Sequence, residues 1–128
     1  MKQVLFVGLG GFIGSVARYK LGGVILHQSL NWRFPLSTFC VNVLGCFLLG
    51  ALAGLAERES FLGADARLFL FTGLLGGFTT FSAFGVEGLN LIRRGDITMA
   101  AVYALVSIVC GIGAVAVGMK LLGLPAAS

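Results

Sequence analysis

The chain alternates long uncharged runs with short charged punctuation. Phe34–Ala56 extends 23 residues without a charge, Leu68–Val86 extends 19, and Ile97–Met119 extends 23. A helix needs about 20 apolar residues to cross the hydrocarbon of a bilayer. The first run is less clean: Gln3–Ala17 is uncharged, and Arg18 and Lys20 precede Leu21–Leu26. Taken from Val4 to Leu26 it is long enough to span, with Arg18 partly submerged. A secretory leader would also begin with Lys2 and an apolar run, but Arg18-Tyr19-Lys20 stands where a small-residue cleavage site belongs. The pattern predicts one all-α membrane domain over 1–128, with four spans at about 4–26, 36–56, 66–92 and 97–122.

Short connections follow from the same reading. Loop one, His27–Phe34, carries Trp32, a residue suited to the membrane interface. Pro35 suits the first turn of the second span. Loop two is expected at Glu57–Asp65. Arg93-Arg94-Gly95-Asp96 reads as a tight turn with glycine at a helix end, and Leu124-Pro125 closes a short tail. No linker, second domain or internal repeat is visible.

The third span is the awkward one. In "GLLGGFTTFSAFGVE", residues 73–87, Gly73, Gly76 and Gly77 lower helix propensity and Thr79-Thr80 follow directly. A break at Gly76–Thr80 is expected. Backbone groups freed at membrane depth must be buried in protein or line a watery cavity. Freed carbonyls can hold cations, and freed amides anions. Past the break, helical spacing puts Thr80, Phe84 and Glu87 on one stripe and Phe81, Phe84 and Gly88 on the next. Glu87, an ionisable group in a span, is a functional suspect, unless it already lies at the interface.

Other polar residues carry two readings each. Thr38, Asn42 and Gly45 share a face of the second span; an isolated Asn is more often a helix–helix hydrogen bond than a transport residue. Tyr103, Ser107 and Gly111 align on the fourth span, where Ser107 could simply bond its own i−4 carbonyl. Arg18 could snorkel to the interface. The pairs Gly10/Gly14, Gly50/Gly54 and Gly73/Gly77 would let helices approach closely.

Composition narrows the function classes. Hydrophobic residues make up 58% and charged ones 11%, about half the charged share of a soluble domain. The net charge of +4 comes from basic residues scattered singly, which is not a nucleic-acid footprint. Cys40, Cys46 and Cys110 lie in apolar runs without metal-ligand spacing, and one histidine, His27, offers little acid–base chemistry. "GLGGFIG" fails as a dinucleotide loop, because the third glycine would fall on Ile13. An enzyme is the least favoured class.

Charge also bears on topology. Lys2, Arg58, Arg67 and Lys120 fall on one side of a four-span chain; Arg33, Arg93, Arg94 and the borderline Lys20 fall on the other. The positive-inside rule then gives almost no orientation. Either other factors settle it, or the chain inserts both ways and two copies pair antiparallel about an axis in the membrane plane. Thr, Ser, Asn and Tyr donors beside phenylalanine rings and an arginine suit a small anion better than a cation, since ring edges carry partial positive charge.

These residues resemble the Fluc (CrcB) family of small fluoride channels along nearly the whole chain. "GLLGGFTTFSAFGVE" is similar to the family's G-x-x-G-G-x-T-T-F-S-T-F-S-x-E, "GGFIGSVARY" to its glycine-rich first span ending in arginine, and "PLSTFCVNVLG" to its P-x-G-T-L-x-x-N-x-x-G. The resemblance implies a passive exporter of cytoplasmic fluoride in the bacterial inner membrane, working as an antiparallel homodimer with two pores. Phe81 and Phe84 would line the pore with their edges, with Asn42, Thr80, Ser82, Ser107 and Tyr103 as polar companions. Arg18 would sit by a vestibule and Glu87 near a pore end. Backbone carbonyls of Gly76 and Thr79 from both copies would hold a structural Na⁺. Ser37, Ala83 and Gly85 depart from the pattern; the last two remove hydroxyls from a polar track, and pairing with an unlike partner chain stays open. Two other readings fit the span count: a proton-coupled exporter of cationic drugs built on Glu87, and a non-transporting assembly subunit.

Overall fold

A computed structural model describes residues 1–58 and 62–123, the Arg58 side chain apart. They are helical, with no strand among them. The helices are α1 (Lys2–Gln28), α2 (Leu36–Arg58), α3 (residues 64–78), α4 (Phe81–Arg93) and α5 (Ile97–Gly123). Helix α3 is α-helical at Ala64–Arg67, opens into a π-helix at Leu68–Leu75 and tightens again at Gly76–Phe78. Together α3 and α4 form the third of four segments long and apolar enough to cross a membrane. Each outer helix is 27 residues, roughly 40 Å of rise, more than the hydrocarbon alone requires. The C-terminal tail expected at Leu124-Pro125 and part of loop two lie outside the described residues.

Lipid tails are as apolar as leucine, so close backbone packing, and not escape from water, holds such a bundle together. The glycine pairs supply it. A Cβ on Gly14 would land on the Leu74 carbonyl oxygen, and one on Gly10 would meet Phe69 and Leu74 backbone. Gly73 and Gly77 return the contact against Gly10 and Gly11. Gly50 and Gly54 rest in the same way on Val115 and Met119 of α5, and Gly118 rests on Phe47 and Ala51 of α2. Thus α1 seats α3, while α2 seats α5.

Few side chains are fully buried: Val41 and Tyr103 are the largest. Tyr103 packs with Leu91 and Ala100, and Phe34, Phe39, Phe84 and Met99 close around them. Phe34 meets both Phe39 and Tyr103 edge to face, with ring centres 5.3 and 5.2 Å apart. The turn between α4 and α5 needs Gly95, whose φ of +80° strains any residue with a Cβ. Trp32 in loop one stands 63% exposed, as an interfacial anchor would.

Candidate functional site

The third span unwinds at two residues. Thr79 (φ −85°, ψ 156°) and Thr80 (φ −147°, ψ 117°) are extended, whereas Gly76–Phe78 remain helical. The break is narrower than the glycines suggested. Glycine's low propensity was outweighed there by packing: Gly77 is needed against Gly11, where a Cβ would sit 2.6 Å from a carbonyl oxygen.

Side chains from two other helices hold the break. Asn42 of α2 bonds Thr80 twice: the Thr80 N–H donates to Oδ1 at 2.8 Å, and Nδ2 donates to the Thr80 carbonyl at 3.0 Å. Asn42 was expected as a pore donor. It faces the cavity, but most of its amide is spent as a clasp. Arg18 of α1 donates from Nε to the Gly77 carbonyl at 3.1 Å, with Ser15 Oγ at 3.4 Å from the same oxygen. The arginine therefore reaches sideways to the end of α3, and does not simply snorkel to water. Thr79 Oγ1 donates to the Leu75 carbonyl. Thr80 Oγ1 accepts from the Ala83 N–H, capping α4, and lies 3.2 Å from Ser82 Oγ. Among the described residues no donor reaches the carbonyl oxygens of Gly76 or Thr79.

A cavity of about 310 Å³ opens beside the break, lined by Asn42, Thr79, Thr80, Phe81, Phe84, Cys46 and Ser107 among others. The rings of Phe81 and Phe84 lie 5.5 Å apart at 32°. Phe81 is 83% exposed, a ring left uncovered by its own chain. The Ser107 oxygen is buried and has no hydrogen-bond partner. The i−4 bond that would have explained it away is absent, and Ser107 is among the residues that line the cavity.

Glu87 and Tyr103 belong to a second cluster, one helical turn beyond Phe84. Glu87 accepts from Thr38 Oγ1 at 2.6 Å and from Tyr103 Oη at 2.7 Å. Tyr103, 1% exposed, packs against Phe84 with ring centres 5.0 Å apart and planes tilted by 45°. Tyr103 is absent from the lining of the Phe81–Ser107 cavity, although it packs against Phe84, which lines it. Thr38 is the member not foreseen as a site residue. Its spacing from Asn42 was legible, but its partner lies 49 positions away on another helix.

The arrangement is an unwound helix pinned from α1 and α2, with two carbonyls that lack donors and with hydroxyls that share a cavity with two phenylalanine rings. Residues 5–119 match the family described as CrcB-like protein, Camphor Resistance (CrcB). The chain is 55% identical over 121 residues, 94% of each chain, to the fluoride-specific ion channel FluC of Methylobacillus flagellatus. It is 46% identical to the protein of that name from Oceanobacillus iheyensis, over 94% of this chain and 92% of the other. For the one from Azobacteroides pseudotrichonymphae the figures are 41%, 92% and 94%. With four spans, a pinned break and a match of this length, the chain belongs to the CrcB family and is a multi-pass bacterial membrane protein.

Proposed function

We propose that the protein is a fluoride-selective channel of the cytoplasmic membrane, passing fluoride outward down its electrochemical gradient. The observation that carries the reading is the cavity where the unpartnered Ser107 hydroxyl, Thr80 and the Phe81–Phe84 pair meet. A small anion sheds water only where donors replace it, and hydroxyls and ring edges are such donors. Ser82, exposed beside Thr80, extends the line of hydroxyls. The names of the relatives supply the ion.

Two copies in opposite orientation make the working unit. The uncovered Phe81 ring and the even division of Lys and Arg between the two sides support this. Each half of the pair would bring the carbonyls of Gly76 and Thr79 to the centre, and hard, uncommitted oxygens fit Na⁺ better than a soft metal. Such an ion would supply fixed positive charge between two opposed helix C-termini. Arg18 lines the approach and keeps the break in shape. Glu87, satisfied by two hydroxyls, anchors the Tyr103 ring against Phe84 near the pore end. That engagement disfavours a proton-coupled drug exporter, which needs a carboxylate free to exchange its proton for an organic cation.

A cellular test is direct. In a bacterium stripped of its own fluoride export, this chain should restore growth in fluoride medium, while Ser107→Ala and Phe84→Ala versions restore it less. A well-expressed, correctly inserted chain that gives no protection would contradict the proposal.

A further inference from the structure

One helical turn past Glu87, Leu91 belongs to two neighbourhoods. It packs with Tyr103 in the buried cluster, and it lines a depression of about 400 Å³ together with Arg33, Arg94, Gly95 and Asp96. Glu87, Leu91 and Arg94 are spaced by four and by three, so they share one side of α4. Arg94 directly follows the helix and keeps a helical backbone (φ −80°, ψ 0°). It lies about 10 Å of helical rise beyond Glu87. Charge at this end is unevenly placed. Glu87 accepts from two neutral hydroxyls and has no ion pair among the described residues. The C-terminus of α4 adds partial negative charge. Both oppose an anion arriving from this side. The two arginines are free to offset them. Arg33, 82% exposed, lies 3.8 Å from Asp96, too long for a hydrogen bond, and Arg94 makes no ion pair among the described residues.

Building on the fluoride-channel reading, we propose that Arg33 and Arg94 form an electrostatic mouth, which raises the fluoride concentration at the Glu87–Tyr103 end of the path. Two arginines against Asp96 leave the depression with net positive charge. Such a field gathers counter-ions without binding them in place. It reaches Glu87 across about 10 Å, close to one Debye length at 0.1 M salt. The arginines are positioning residues: they touch neither the rings nor the hydroxyls of the cavity, and they act on the supply of the ion. Asp96 works against them, because it removes part of the charge they present.

Fluoride efflux from vesicles carrying the purified chain tests this at two ionic strengths set with an impermeant salt. At about 0.01 M the Debye length is about 30 Å, and at about 1 M it is about 3 Å. At the lower ionic strength R33Q/R94Q should be about fourfold slower than the parent, since one charge about 10 Å away changes the local anion concentration about twofold through water. At the higher ionic strength the two should match. R33K/R94K keeps the charge without the guanidinium fork and should recover the parental rate. Asp96→Asn should be about twofold faster than the parent at the lower ionic strength. Slowing of R33Q/R94Q that persists at the higher ionic strength, or R33K/R94K as slow as R33Q/R94Q, would make the arginines structural and overturn the proposal. Equal rates for the parent and R33Q/R94Q at the lower ionic strength, or Asp96→Asn no faster than the parent there, overturn it too. A parent that releases no fluoride under either condition sinks the channel reading and the mouth together; a conducting parent indifferent to these substitutions sinks the mouth alone.

Discussion

At the scale of single residues, the site depends on which hydrogen bonds are already made. Asn42 closes two bonds on Thr80, so Asn42→Ala strands a half-buried backbone amide and carbonyl. Leaving such groups unpaired costs about 1–3 kcal/mol each. The variant should unfold at a clearly lower temperature in detergent, and an unchanged midpoint would show that the clasp is dispensable. Ser107 is the opposite case. Its hydroxyl has no partner to lose, so Ser107→Ala should leave thermal stability unchanged or slightly improved while slowing fluoride flux in vesicles. Glu87→Gln keeps the shape but gives Thr38 and Tyr103 a weaker acceptor. It should reduce flux through displacement of the Tyr103 ring; outright conversion to transport of an organic cation would favour the exporter reading instead.

At the scale of elements, glycines act by position and not by number. Gly14 and Gly50 each sit under a neighbouring carbonyl, whereas Gly8 and Gly113 have nothing within 4 Å. Gly14→Ala and Gly50→Ala should each destabilise by about 1–3 kcal/mol, the usual effect of overpacking. Gly8→Ala and Gly113→Ala should be neutral or mildly stabilising. Thermal unfolding of the four variants side by side checks this, and equal effects in all four would refute the packing account. The same contrast shows what the sequence could convey. Uncharged runs pointed to the last three spans, the first had to be drawn through Arg18 and Lys20, and Gly95 marked its turn. The break was visible as glycines followed by threonines, yet it fell on the threonines alone because Gly76–Phe78 keep helical hydrogen bonding while α1 packs against Gly77. The π-helix at Leu68–Leu75 had no local signal, since its residues would suit a regular helix equally well. The Thr38–Glu87–Tyr103 cluster was hidden for another reason. Its members come from three helices, and spacing along one helix reports only that helix's own faces.

At the scale of the whole molecule, the monomer leaves Phe81 uncovered and two carbonyls at the break without donors. Both are resolved if a second copy approaches from the opposite orientation with a sodium ion between them. Purification with sodium replaced by a large organic cation should therefore lower flux and thermal stability together, and restoring sodium should recover both. Loss of neither would remove the ion from the account. The near-even distribution of Lys and Arg predicts that added lysines near the termini will fix one orientation. Such a version should lose flux when expressed alone and regain it when co-expressed with a copy biased the other way.

The central claim is that the Phe81–Phe84–Ser107 cavity belongs to a path that admits fluoride and rejects chloride. Paired ion-selective electrodes on vesicles carrying the purified chain test it most directly. The account predicts rapid fluoride efflux with chloride retained, and marked slowing of the fluoride signal by Phe84→Ala. Comparable release of both ions, or none of either from well-folded protein, would contradict it.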